Sequence, residues 1–248
     1  MSLQFIRARR LAAVIVTIGS VAATFAVSKS AYAVTDTLPA GVHLTAGQTI
    51  NATSSTTRLT MQSDGNLVEY VGSIPVWFTS THASGAFAKL STDGNLAVYN
   101  SSGSVIWSAN SAHAIATYRL TIQNDGNLVV YPASGAAVWS NHRHFQAYAA
   151  TLLAAHGWGS QEFSCLDNIY VRESNWQTNA TNTAKSAWGI PQALPGSKMS
   201  VEGSDWQTNG ETQLRWGIND YIPNPSQHPS TWTTPCGAWA FWQAYGYY

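Results

Sequence analysis

Charged side chains are scarce in this chain of 248 residues: only 10% are Asp, Glu, Lys or Arg, twelve basic against twelve acidic. Beyond residue 33 there is no basic block or stripe, which excludes a nucleic-acid partner held by phosphate neutralisation. Cysteine is limited to Cys165 and Cys236, too few for a structural zinc site, and no histidines take H-E-x-x-H spacing. No metal and no other cofactor is therefore expected. Outside residues 11–27 there is no long apolar run, so the rest of the chain is not expected to insert stably in a membrane. Trp, Tyr, Asn, Thr and Ser are plentiful instead. Short amides and hydroxyls bond sugar hydroxyls and aromatic faces stack on sugar rings, so this composition suits a carbohydrate partner.

Arg7, Arg9 and Arg10 precede an apolar run from Leu11 to Val27, and Ala31-Tyr32-Ala33 stands before Val34. That order reads as a secretory signal peptide over residues 1–33; Gly19, Ser20 and Thr24 dilute the run and argue against a membrane anchor. Its removal takes four of the basic residues and no acid, leaving eight against twelve and a formal charge of −4. In an exported, oxidising setting Cys165 and Cys236 are expected to pair. Closing a loop of roughly 70 residues contributes at most about 4 kcal/mol in the chain-entropy model.

The segment before residue 142 repeats itself. RLTMQSDGNLVEY (Arg58–Tyr70), KLSTDGNLAVY (Lys89–Tyr99) and RLTIQNDGNLVVY (Arg119–Tyr131) are each followed by a tryptophan, Trp77, Trp107 and Trp139. Asp64, Asp93 and Asp125 lie 29 and 32 residues apart, so one unit recurs three times. Short apolar alternations around an Asp-Gly-Asn turn predict consecutive hairpins. Three such units bury a core only together, with the tryptophans and neighbouring Leu and Val around a shared axis.

Gln62-x-Asp64-x-Asn66-x-Val68-x-Tyr70 and Gln123-x-Asp125-x-Asn127-x-Val129-x-Tyr131 resemble the Q-x-D-x-N-x-V-x-Y motif of bulb-type, mannose-binding lectins. The middle copy keeps Asp93, Asn95 and Tyr99 but has Ser91 for Gln and Ala97 for Val, which predicts a weaker site. The resemblance, over roughly residues 37–141, implies an all-β, three-fold pseudo-symmetric β-prism and binding of mannose-type or other glycans. Bulb lectins often pair by exchanging strands, which leaves a homodimer open. In each motif a carboxylate and an amide on adjacent turn positions suit vicinal hydroxyls, while Val and Tyr cover the apolar edge of a ring.

After residue 142 the periodicity becomes helical. Phe145, Tyr148, Ala149, Leu152, Leu153 and His156 recur at spacing three and four and stop at Gly157. A second helix is expected from an N-cap at Ser160, carrying Phe163, Leu166, Ile169, Tyr170 and Glu173, and a third over Gln213–Ile222. Residues 193–204 and the proline-rich run 223–235 are expected to be loops, the latter a lengthened surface loop. Glu173 extends the apolar face of its helix near Tyr170, Trp176 and Trp188, where lost hydration is expected to hold its proton more tightly, as a general acid requires.

Phe163–Asn168, Arg172-Glu173-Ser174-Asn175-Trp176 and Ala187–Met199 resemble the lysozyme-like lytic transglycosylase domain of secreted actinobacterial and phage wall enzymes. That resemblance implies that Glu173 is the catalytic acid of a Glu-Ser pair, that Ser174, Gly189 and Gln192 line the glycan cleft, and that Tyr221 stands beside the acid. It also implies cleavage of MurNAc-GlcNAc bonds in peptidoglycan with a 1,6-anhydro product. Asp167, Glu202, Asp205 and Asp220 are the candidates for a second carboxylate.

The expectation is thus a multidomain, secreted, cell-wall-associated chain: signal peptide 1–33, bulb-lectin β-prism 34–141, and a mainly α, lysozyme-like transglycosylase domain 142–248, with the lectin targeting the enzyme to glycans. The alternatives are a lectin-type bacteriocin or sugar-binding protein with a non-catalytic wall-binding domain, and a hydrolytic muramidase.

Overall fold

The computed structural model describes residues 36–114, 117–182, 186–228 and 231–248. The expected signal peptide, residues 1–33, lies outside the described residues. Among the described residues no helix is long and apolar enough to cross a membrane.

Residues 37–140 form three four-stranded antiparallel sheets. In each, one repeat supplies three strands and a short leading segment supplies the fourth. Thr49–Asn51 pairs with Thr57–Met61, followed by Leu67–Val71 and Ile74–Phe78. His43–Thr45 joins Phe87–Leu90, Leu96–Tyr99 and Val105–Ser108. Thr37–Pro39 joins Tyr118–Ile122, Leu128–Pro132 and Trp139–Ser140. Leu38, Leu44 and Ile50, one from each leading strand, are buried in one cluster with Leu59, Leu90 and Leu120. Fifteen residues thus stitch all three repeats to a shared core. The three tryptophans converge as the repeat implies, Trp77 meeting Trp107 and Trp139 edge to face at 5.5 and 6.4 Å. They are partly rather than fully buried.

The helical part contains α1 (His144–Ala155), α2 (Ser160–Ser174), α3 (Gly210–Arg215) and α4 (Pro235–Tyr245). Gly157 follows α1 at φ +74°, the left-handed stop its position suggests. Ser160 is the first residue of α2 rather than its cap; extended Gly159 stands at that position, with no side-chain cap. The expected helix at 213–222 begins earlier, where Asn209 accepts from the Glu211 backbone N–H at 2.9 Å, and loosens into a π-helical turn over Trp216–Tyr221. The expected loop at 193–204 holds a 3₁₀ segment, Gly196–Val201.

The run 223–235 is not simply a surface loop. His228 and Trp232 are buried and stack with ring centroids 3.5 Å apart, both edge-on to Tyr221. Their apolar faces leave water by packing on the helical core. Cys165 and Cys236 form the expected disulfide, joining α2 to the start of α4. Glu162 accepts from the Cys236 backbone N–H at 2.7 Å, a carboxylate at a helix N-terminus.

The two parts share a core. Val71, Ile74 and Val76 of the first repeat pack into the same cluster as Ala147, Leu153 and Phe163. Ile106, the counterpart of Val76 in the second repeat, remains exposed. α1 also lies on the Asp-Gly-Asn turn of the third repeat so closely that a Cβ on Gly126 would sit 2.0 Å from that of Ala147. His144 reinforces this contact, its ring lying 3.2 Å from Glu211 and 2.9 Å from the Asp125 carbonyl.

Candidate functional site

Each repeat folds its motif the same way because the turn demands it. Gly65, Gly94 and Gly126 take φ between +81° and +91°, and the preceding aspartate accepts from the backbone N–H of the following asparagine at 2.9 to 3.0 Å. The alternation of the next strand then sets Asn, Val and Tyr on one face. Gln62 donates to the Tyr70 hydroxyl at 2.5 Å and Gln123 to that of Tyr131 at 2.9 Å. Ser91 and Tyr99 are 3.3 Å apart, so the shorter side chain only loosely replaces that link.

The three copies differ in their surroundings. The first opens on a cavity of about 280 Å³ with Gln62, Asn66, Tyr70 and His82 on its walls and Val68 in its lining. Asn66 Oδ1 accepts from Thr79, and Asp64 carries the turn bond, so both side chains are oriented in advance. In the second, Asn95 is held by Ser108 and Ser111, and Ala97 is fully buried. In the third, Asp125 accepts from both the backbone and the side chain of Asn127, and α1 covers the turn. Val129 is buried as Val68 is.

One position in the repeat escaped the motif. Arg58 lies over the Tyr70 ring at 4.5 Å and Arg119 over Tyr131 at 5.0 Å, while Phe87 stacks on Tyr99 at 5.2 Å. All three stand four residues before the Gln, Ser or Gln of their copy and pair directly across the sheet with the tyrosine. Aligning the repeats four residues further back reveals them.

In the helical part, Glu173 is half-buried at the last turn of α2 and accepts from the Trp242 indole N–H at 2.7 Å. Trp242 stacks on Trp239, and Arg172 lies over both rings at 5.4 and 4.6 Å. The disulfide sets the start of α4 against α2, and the contacts 165–236 and 173–242 follow the same order along both helices, so α2 and α4 run in the same sense. Tyr221 is pushed up to about 12 by burial and then by the Glu173 charge, and burial with the Tyr170 and Glu173 charges also raises Tyr248.

Ser174 and the Gly189–Gln192 turn are brought to this helix end by bonds to backbone. Ser174 is buried and donates to the Ile190 carbonyl at 2.8 Å, while the Tyr248 hydroxyl donates to Pro191 at 2.9 Å. Ser174 thereby ties the turn to α2. Gly189, at φ +77°, has the Gln213 amide 2.6 Å from where a Cβ would be, so its place is fixed by packing. Gln192 donates to the Ala180 and Gly189 carbonyls. Tyr221 donates to the Tyr248 carbonyl at 3.1 Å.

The candidate second carboxylates have partners elsewhere. Asp167 accepts from Trp176 at 2.8 Å, and Asp205 is held low by bonds from Asn209 and Thr212. Glu202 pairs with Arg215 at 3.0 Å, and Asp220 is pushed up to about 6 by burial and by its bond and charge contact with Glu202. Among the described residues no cluster of His, Cys, Asp and Glu is arranged to hold a metal ion.

Neither a protein-family model nor a curated protein matches the chain. Solved structures match its N-terminal portion. A monomeric monocot mannose-binding lectin from Gastrodia elata is 34% identical, covering 44% of this chain and 97% of that one, with a TM-score of 0.41. A lectin from Allium sativum is 35% identical, covering 41% and 97%, with a TM-score of 0.38. The mannose-specific agglutinin of snowdrop (Galanthus nivalis) bulbs, solved with methyl-α-D-mannoside, is 33% identical, covering 43% and 95%, with a TM-score of 0.38.

Proposed function

We propose that this chain, whose β part belongs to the bulb-type lectins at 34% identity over 97% of one such lectin, is a secreted, glycan-targeted peptidoglycan lytic transglycosylase. The lectin module, read as a β-prism, binds mannose-type glycans. The observation that carries this half is the first repeat, where Gln62, Asn66 and Tyr70 border an open cavity with Asp64 fixed in the adjoining turn. A hexose there presents hydroxyls to an amide, a carboxylate and a phenol, with Val68 against its apolar edge.

The helical part is read as a lysozyme-like domain acting through Glu173. Its support is the bond from Trp242 to Glu173 together with the Ser174–Ile190 tie, which fix the glutamate and the Gly189–Gln192 turn relative to one another. In the reaction, Glu173 gives its proton to the bridging oxygen as the bond from the muramic acid C1 breaks. The resulting carboxylate takes the proton of that sugar's C6 hydroxyl as O6 bonds to C1. The protonated Glu173 is regenerated, no water is consumed, and one carboxyl group suffices. Holding the protein on a glycan surface through the lectin raises the local concentration of cleavable strands.

Mass spectrometry of fragments released from purified peptidoglycan tests the enzymatic half, with Glu173→Gln alongside. Anhydro-ended fragments from the unaltered protein and none from the variant are expected. Reducing ends would mean a muramidase, and no fragments from either protein would leave a binding protein. Calorimetric titration with methyl α-mannoside tests the lectin half.

A further inference from the structure

The cavity of the first sugar site adjoins one that reaches the helical part. Pro75 and Phe78 line it and also line a second cavity of about 330 Å³, whose far side is formed by Arg143 with Ser164, Asp167 and Asn168. Arg143 and Asp167 in turn line a third cavity of about 500 Å³ that reaches Trp176. The three cavities adjoin pairwise through these shared residues, between the sugar motif and α2. Phe78 stands where the first two meet and is 52% exposed. Its counterparts, the residues after Trp107 and Trp139, are Ser108 and Ser140, so the exposed ring is peculiar to this repeat.

We propose that the first sugar site is the end of an oligosaccharide-binding groove, in which hexoses beyond the first stack on Phe78 and bond to Asp167, Asn168 and Arg143 of the helical part. This rests on the reading that the first site holds a mannose-type sugar. An exposed aromatic ring offers a flat apolar face to a pyranose while the neighbouring polar groups take its hydroxyls. One carboxylate and one guanidinium along the groove leave it without net charge, which suits a neutral glycan. The halves of the protein thus build one binding surface: the lectin fold chooses the terminal sugar, and the helical part selects for chain length.

The test is calorimetric titration of the whole protein with methyl α-mannoside and with linear mannopentaose. The pentaose is expected to bind about tenfold more tightly than the monosaccharide, the scale of one good aromatic contact. Asn168→Trp, which obstructs the groove from an exposed position of α2, should erase most of that margin while leaving the monosaccharide affinity unchanged, and Phe78→Ala should cost the pentaose more than the monosaccharide. Retained monosaccharide binding also shows that each variant is folded. Equal affinity of the unaltered protein for both sugars, or a Phe78→Ala loss shared equally by both, overturns the groove and leaves the lectin reading intact. No binding of either sugar to the unaltered protein overturns the lectin reading and the groove with it.

Discussion

The Glu69 carboxylate accepts a hydrogen bond from the Asn141 side chain, joining the first repeat to the connector that leads into the helical part. Val98 and Val130 hold the corresponding core positions in the other repeats, so a carboxyl group here replaces a valine. It is fully buried, beneath the seam where the two parts meet. Burial pushes its pKa up to about 8, against the opposing effects of the Asn141 bond and the Arg143 charge.

A raised carboxyl pKa makes the folded state bind more protons than the unfolded state between about pH 4.5 and pH 8. Stability should therefore be greatest at the acidic end of that window and fall as pH rises through it, by at most about 5 kcal/mol. Glu69→Gln, which keeps the acceptor for Asn141 and removes the titration, should flatten this slope. Urea unfolding at several pH values measures it, and equal slopes for the two proteins would show that other groups govern the dependence.

The close approach of Gly126 to Ala147 supplies a second prediction. Gly103 has nearly the same φ, +82° against +81°, but open space where a Cβ would go. Gly103→Ala should cost about 1 kcal/mol through its backbone alone. Gly126→Ala must in addition push α1 off the turn, and several kcal/mol are expected. Similar midpoints for the two variants in denaturant unfolding would show that α1 yields without cost.

The sugar motifs were legible because each fixes residue types at rigid spacing around a turn that only Asp-Gly-Asn chemistry satisfies. The helical periodicity was legible for a similar local reason, and the disulfide because the chain has only two cysteines. The joint between the parts was not, since nothing near Glu69 announces Asn141, 72 positions away. Ser174 is drawn inward by the Ile190 carbonyl, a partner the helix's own periodicity does not name. The leading strands were missed although Leu38, Leu44 and Ile50 recur every six residues, because three-residue strands carry too little alternation to register.

The unequal repeats predict unequal sugar sites. Asn66→Ala removes an amide from the open first site and should abolish most methyl α-mannoside binding. Asn95→Ala acts where Ser91 replaces the glutamine, and should change the isotherm little. Titration calorimetry separates these, and equal losses would mean that the second site works despite its substitution.

Trp242 offers a way to ask whether the helical part is an enzyme without altering the acid. Trp242→Phe removes the N–H that reaches Glu173 at 2.7 Å while keeping an aromatic ring against Trp239 and Arg172. A carboxyl group freed from that bond samples orientations away from the scissile oxygen, and general acid catalysis depends on reach before proton affinity. The rate of anhydro-fragment release should fall about 10- to 100-fold, with Glu173→Gln losing about 1,000-fold or more. Methyl α-mannoside affinity should not change in either variant, because the sugar site lies on the β part. A Trp242→Phe protein that releases fragments at the full rate would show that α4 only supports the fold and that the position of Glu173 does not depend on the Trp242 bond.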